Sequence, residues 1–182
     1  MLRLADNPPM LSPAAESVSQ LAGPWWVAHT KARFEKAFAW DLLAHEIGYF
    51  LPLVKRVVFS GGRKRQVMAP LFSSYVFFCG SEEDRYAAMT TNRLCQTIKI
   101  VDQERFVSEI AAIEKAVAGG VPLDPYPFAA VGCRCRVRSG PLQGTEGTIV
   151  QRSKPTRLVL EVSILGQGAA VEIDADLLEP AD

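Results

Sequence analysis

The side chains able to do chemistry in this 182-residue chain are concentrated between positions 31 and 65. Eight basic residues stand there (Lys31, Arg33, Lys36, Lys55, Arg56, Arg63, Lys64 and Arg65) against three acids, Glu35, Asp41 and Glu46. A local excess of cations suits contact with a polyanion. The whole chain is net neutral, with 20 basic and 20 acidic residues, so no global attraction to polyanions is implied. No Ser/His/Asp arrangement, P-loop or G-x-G-x-x-G opening a helix can be read. The two histidines, His29 and His45, lie far in sequence from the four cysteines, Cys79, Cys95, Cys133 and Cys135, and no C-x-x-C pair occurs. Zinc ligation needs closer spacing, so the cysteines read as small buried hydrophobes. Glu35, Asp41 and Glu46 read as a solvated helix face. The expected chemistry is recognition; no enzyme activity, cofactor or metal is expected.

These groups need ordered elements to position them, and order is predicted from Trp25 onward. Pro8, Pro9, Ser12, Pro13, Ser17 and Ser19 make residues 1–22 a disordered lead-in. That stretch lacks the basic start and apolar core of a signal peptide. No run reaches the roughly 18 apolar residues of a membrane span. A cytoplasmic protein without membrane contact is therefore expected. WWVAHT (25–30) reads as a strand. Phe34, Phe38 and Leu42 then fall four apart, with Ala37 on the same face, which predicts a helix ended by Gly48. Residues 49–78 are strand-rich, and Gly61-Gly62 marks a tight hairpin carrying Arg63, Lys64 and Arg65 at its tip. YVFFC (75–79) reads as a strand buried on both faces. Ser81 and Asp84 form a capping box for a helix reaching about Asn92. QTIKIV (96–101) is another strand, and Asp102 caps a helix with Phe106, Ile110, Ile113 and Val117 on one face.

Two glycines and three prolines in GGVPLDPYPF (119–128) predict a linker. Beyond it Cys133, Cys135 and Val137 alternate with Arg134, Arg136 and Arg138, which sends the first three inward and the arginines outward. TIVQR, RLVLEVSI and AAVEID follow as short strands, so this half reads as a small five-stranded barrel.

Gly132, Val137, Gly140, Pro141, Leu142, Gly144, Gly147, Ile149 and Val150 resemble a KOW motif. That motif is the first hairpin of a small SH3-like barrel in NusG-type transcription factors and some ribosomal proteins. Gly140, Gly144 and Gly147 are its turn glycines. LVLEVSILGQGAAVEIDADLLEP (158–180) is similar to the rest of the NusG barrel. WWVAHTK resembles the first strand of the NusG N-terminal domain, and PLFSSYVFF (70–78) resembles that domain's F-P-x-Y-V-x-V strand, with the basic hairpin between them. The resemblance to NusG/RfaH-like elongation and antitermination factors runs from residue 25 to 180. The P-L-F start and the basic hairpin look closer to the RfaH-type paralogues.

The resemblance implies an α+β chain. A ferredoxin-like α/β sandwich would span 23–118, a linker 119–130, and an SH3-like five-stranded β-barrel, the KOW domain, 131–182. The N-terminal domain of such factors docks on the clamp helices of the largest subunit of bacterial RNA polymerase. Carried over here, that contact falls on Phe72, Trp26, His29 and Tyr75. Lys31, Arg63, Lys64, Arg65 and Arg93 become candidates for single-stranded non-template DNA or the upstream duplex. Ile164 and Leu165 fall at the KOW loop that takes a ribosomal small-subunit protein or Rho. A monomer is expected. Val159, Val162, Ile164, Val171 and Ile173 favour strand, so a stable barrel without a fold switch is predicted. The alternative is an RNA-binding KOW module of ribosomal type, which would place heparin retention on the C-terminal half instead of on residues 23–118.

Overall fold

The computed structural model describes residues 6–14, 17–126, 130, 132–151 and 155–181. The chain folds as two compact units, Met1–Val101 and Asp102–Asp182, each mixing helix with antiparallel strands. The helix grouped by sequence with the first half thus falls in the second unit.

In the first unit five strands pair in the order β1-β3-β6-β2-β7. These are β1 (Leu11–Ser12), β2 (Trp25–Thr30), β3 (Gly48–Phe50), β6 (Tyr75–Cys79) and β7 (Leu94–Lys99). Strands β4 (Leu53–Ser60) and β5 (Arg63–Pro70) form a separate two-stranded ribbon. Its two-residue turn works because Gly61 and Gly62 both take positive φ, 58° and 73°, as the twist of a tight hairpin requires. Helix α1 (Glu35–Ala44) and helix α2 (Glu82–Thr90) contribute Phe38, Ala39, Leu42 and Ala88 to a core with Trp26, Ala28, Val76 and Phe78. The capping box at α2 is present, with the Ser81 hydroxyl accepting from the Asp84 N–H and Asp84 accepting from the Ser81 N–H.

Two local expectations are corrected here. The segment expected as a disordered lead-in is ordered where it is described. Leu11 and Ser12 pair with Phe50 and Tyr49, the Tyr49 hydroxyl donates to the Pro9 carbonyl at 2.9 Å, and Val18 is fully buried. Proline and serine content signalled disorder, but the apolar Met10, Leu11 and Val18 find partners; burial also pushes the Tyr49 phenol up to about 12. Gly48 does not end α1. The helix stops at Ala44, Glu46 takes the left-handed turn at φ 58°, and Gly48 already belongs to β3.

The second unit starts with helix α3 (Gln103–Ala118), capped by the Asp102 carboxylate and burying Phe106, Ile110, Ile113 and Ala116. Six antiparallel strands then pair in the order β13-β9-β10-β11-β12-β8, where five were expected. They are β8 (Asp124–Tyr126), β9 (Cys133–Val137), β10 (Glu146–Gln151), β11 (Thr156–Val162), β12 (Gln167–Ile173) and β13 (Leu178–Pro180). The extra strand, β8, comes from the stretch read as a linker. It lies at the sheet edge against β12, where Pro125 can sit because an edge strand leaves half its backbone groups unpaired. Residues 127–129 and 131, also assigned to the linker and the start of the barrel, lie outside the described residues. Cys135 and Val137 point inward as alternation predicts, but Cys133 is exposed. Among the described residues no helix is long and apolar enough to cross a membrane.

Candidate docking face and basic ribbon

The four residues assigned to polymerase contact do not share one face. Strand alternation puts Trp25, Val27 and His29 on one side of β2, and Trp26 and Ala28 on the other. His29 pairs in register with Tyr75, and their rings stack with centroids 5.0 Å apart. Both are half-buried and reachable from solvent. Phe72 sits in the loop just before β6, where its carbonyl accepts the Tyr75 N–H at 3.2 Å. Its ring is only 2% exposed and lies edge-on to Phe77 at 5.8 Å. Phe72 is therefore packed against Phe77 instead of standing free. Trp26 is corrected. It belongs to the core with Phe38 and Phe78, its indole N–H donates to the Gly80 carbonyl, and the Arg85 guanidinium covers its ring. Trp25 and Phe77 occupy the face that Trp26 was expected to serve. Counting back from His29 in steps of two would have selected Trp25.

One residue missed by sequence holds this face in place. Glu35, read as solvated, is 7% exposed. Its carboxylate accepts the Ser74 backbone N–H at 2.6 Å, in the turn between Phe72 and Tyr75. Ser74 has a φ of 66°, a left-handed conformation unusual for serine. The acid at the start of α1 thus fixes the loop that carries Phe72.

The cationic candidates divide into two groups. Lys31 donates to the Asn92 carbonyl at 2.8 Å and to its side-chain oxygen at 3.0 Å. Arg93 pairs with Asp41 at 2.9 Å and lies over the Phe34 ring. The charge of Arg93 is neutralised locally, which weakens its standing as a phosphate ligand. Arg63, Lys64 and Arg65 are exposed on the ribbon near its tip. Lys36 ties the base of that ribbon to α1 by donating to the Met68 carbonyl at 2.5 Å, and burial holds its ammonium pKa below the usual lysine value.

In the second unit the turn glycines do separate jobs. Gly140 and Gly144 take positive φ, 89° and 81°, and the Gly144 N–H closes the turn on the Val137 carbonyl at 2.8 Å. Gly147 lies where a Cβ would come 2.6 Å from the Val159 carbonyl oxygen. Ile164 and Leu165 sit in a short helical turn, Ser163–Leu165, after β11. The turn is held by α3. Glu109 accepts the Ser163 N–H at 2.9 Å and its hydroxyl at 2.6 Å, while Arg105 donates to the same hydroxyl. The outward arginines are paired: Arg134 and Arg136 both reach Glu146, at 3.1 and 2.6 Å. Hydrogen bonds from Arg136 and then Arg134 hold the Glu146 carboxyl below the usual carboxylate range. That pairing leaves little free charge for an RNA backbone on this strand face.

The cysteines also divide, two buried and two exposed, correcting the expectation that all are buried. Burial, with Asp84 nearby, raises the Cys79 thiol to about 11. In the native protein at mildly alkaline pH, Cys95 and Cys133 are expected to react with a disulfide reagent about 100-fold faster than Cys79 and Cys135, because the exposed sulfurs are accessible to the reagent and the buried ones are not. Peptide mapping after a short pulse checks this; equal labelling of all four would contradict the buried positions.

A stacked aromatic pair, a basic ribbon and a tethered turn are the features of this mixed α/β chain that suit macromolecular partners. The family model described as "NusG: Transcription termination factor nusG" matches residues 23–117. The chain therefore belongs to the NusG family of transcription factors, whose members are non-enzymatic. It is similar to the solved structure titled "Domain interaction in Thermotoga maritima NusG", with 16% identity, 87% of this chain and 97% of that chain covered, and a TM-score of 0.47. It is also similar to the "MjSpt4:Spt5 complex conformation B", with 14% identity, coverage of 87% and 97%, and a TM-score of 0.25. No curated protein matched the chain.

Proposed function

We propose that this chain is a cytoplasmic elongation or antitermination factor that docks on the clamp helices of the largest subunit of bacterial RNA polymerase. The observation that carries the reading is the His29–Tyr75 stack, half-buried and solvent-reachable, in a chain of the NusG family. Aromatic anchors of this kind commonly dominate helix-binding interfaces. In this reading the strands of the first unit belong to a ferredoxin-like sandwich. The strands of the second unit form an SH3-like KOW barrel. The basic ribbon, through Arg63, Lys64 and Arg65, contacts non-template or upstream DNA. Ile164 and Leu165 take a second partner, a ribosomal small-subunit protein or Rho, once the turn is released from Glu109. The factor acts as a monomer.

Co-purification of the full chain with bacterial RNA polymerase tests the docking. Wild type is expected to be retained. Tyr75→Ala and His29→Asp are expected to lose at least about tenfold in affinity, since each removes part of an aromatic anchor. Circular dichroism on the same variants separates lost docking from lost folding. Retention of both folded variants at wild-type level would move the contact elsewhere, and no binding by any form would remove the polymerase assignment.

A further inference from the structure

The ribbon has a feature that charge alone does not explain. Phe59 is 78% exposed and Val57 46% exposed. They stand two residues apart on one strand, so they share a face. Phe59 is directly opposite Lys64, and Val57 is opposite Gln66. Lys55 continues the same face next to Val57. The opposite face carries Arg56, Arg63 and Arg65. From Leu53 to Pro70 the sequence has five cations and no acid. Among the described residues Lys55, Arg56, Arg63 and Lys64 have no carboxylate partner. An aromatic ring left in water without packing, beside cations left without acids, is complementary to a ligand that is anionic and offers a flat apolar surface. Single-stranded nucleic acid has both, a phosphate chain and unpaired base faces. A duplex hides its base faces inside the stack. An acidic peptide would satisfy the cations but not the ring.

We infer that Phe59 is a stacking platform for an unpaired base of single-stranded DNA, with Lys64 and Lys55, on the same face of the ribbon, on the flanking phosphates. This rests on the reading of the ribbon as a DNA contact and adds to it a base-stacking residue and a preference for unpaired strands. The cations supply attraction without sequence preference, and the ring distinguishes open from paired DNA. Because every base has a π-face, the contact tolerates any sequence.

Fluorescence anisotropy of the full chain with a labelled oligothymidylate, over a salt series, tests this. A closed-circular duplex serves as competitor. Phe59 is exposed, so Phe59→Ala is expected to stay folded. It is expected to weaken oligothymidylate binding about tenfold, leave the salt slope unchanged and leave duplex competition unchanged. Phe59→Trp should restore binding, because it keeps a ring. Lys64→Ala should instead flatten the log–log salt slope by about 0.7, the value for one phosphate contact on a single strand. Wild-type binding by Phe59→Ala alongside a flattened slope for Lys64→Ala would keep the DNA contact and overturn the stacking. Equal losses on single strand and duplex would also overturn the stacking. No measurable salt-dependent binding by the wild type would overturn both readings.

Discussion

Gly147→Ala is expected to lower the melting temperature of the second unit by roughly 10–20 °C. The added Cβ would lie 2.6 Å from the Val159 carbonyl oxygen and 2.9 Å from the Leu158 side chain. Both neighbours belong to β11, the strand paired with β10. A leucine tip can move, but a ladder carbonyl cannot move without breaking its own pairing. The cost is expected near the upper end for overpacking, about 3 kcal/mol. Gly140→Ala makes the control. Its φ of 89° strains any side chain, but a Cβ there meets nothing within 4 Å. That substitution should cost about 1 kcal/mol, the strain of one left-handed residue. Thermal melts of the full chain followed by circular dichroism compare the two. Similar melting temperatures would mean that the close approach at Gly147 is relaxed in solution.

Glu35→Ala is expected to destabilise the first unit by about 2 kcal/mol and to loosen the Phe72 loop. The carboxylate is buried and holds the Ser74 N–H at 2.6 Å. Removing it leaves that N–H without its partner, on a residue already at φ 66°. An unpaired buried donor costs more than an average hydrogen bond contributes, since its desolvation is no longer offset. Glu35→Gln keeps an acceptor of similar length and should recover at least half the loss. Two measurements read this: urea denaturation of the full chain, and amide exchange at Ser74 and Tyr75. Faster exchange confined to that loop in the alanine variant, with recovery in glutamine, is the expected pattern. Equal stability of wild type and alanine variant would sink the anchoring role.

Much of the molecule was legible in the sequence because the signals were local. The Ser81–Asp84 capping box, the Asp102 cap and the Gly61-Gly62 turn each depend on a few consecutive residues, and all three are present as read. A cap is decided by backbone N–H groups within one helical turn of the capping side chain, so no distant partner can alter it. Family membership was legible for a related reason. It rests on ordered motifs, WWVAHT, PLFSSYVFF and the glycines at 140, 144 and 147, and the family model matches the first two within residues 23–117.

What sequence could not decide involved pairing across long separations. The lead-in looked disordered by composition, yet β3, nearly forty positions on, supplies the edge that orders Leu11 and Ser12. GGVPLDPYPF looked like a linker, yet the free edge of β12 recruits Asp124–Tyr126. Arg93 looked like a free cation until Asp41, fifty-two positions away, closed on it. Glu35 looked solvated until Ser74 came to it. Sequence by itself determined the local elements, the family and the cationic ribbon, because each is carried by neighbours along the chain. Only tertiary structure decided which charges are spent on partners and which remain free, and which of Trp25 and Trp26 serves the face with His29. The physical reason is the same in each case. Burial and pairing depend on who arrives from elsewhere in the fold, and a charge or ring has no fixed role until its neighbours are in place.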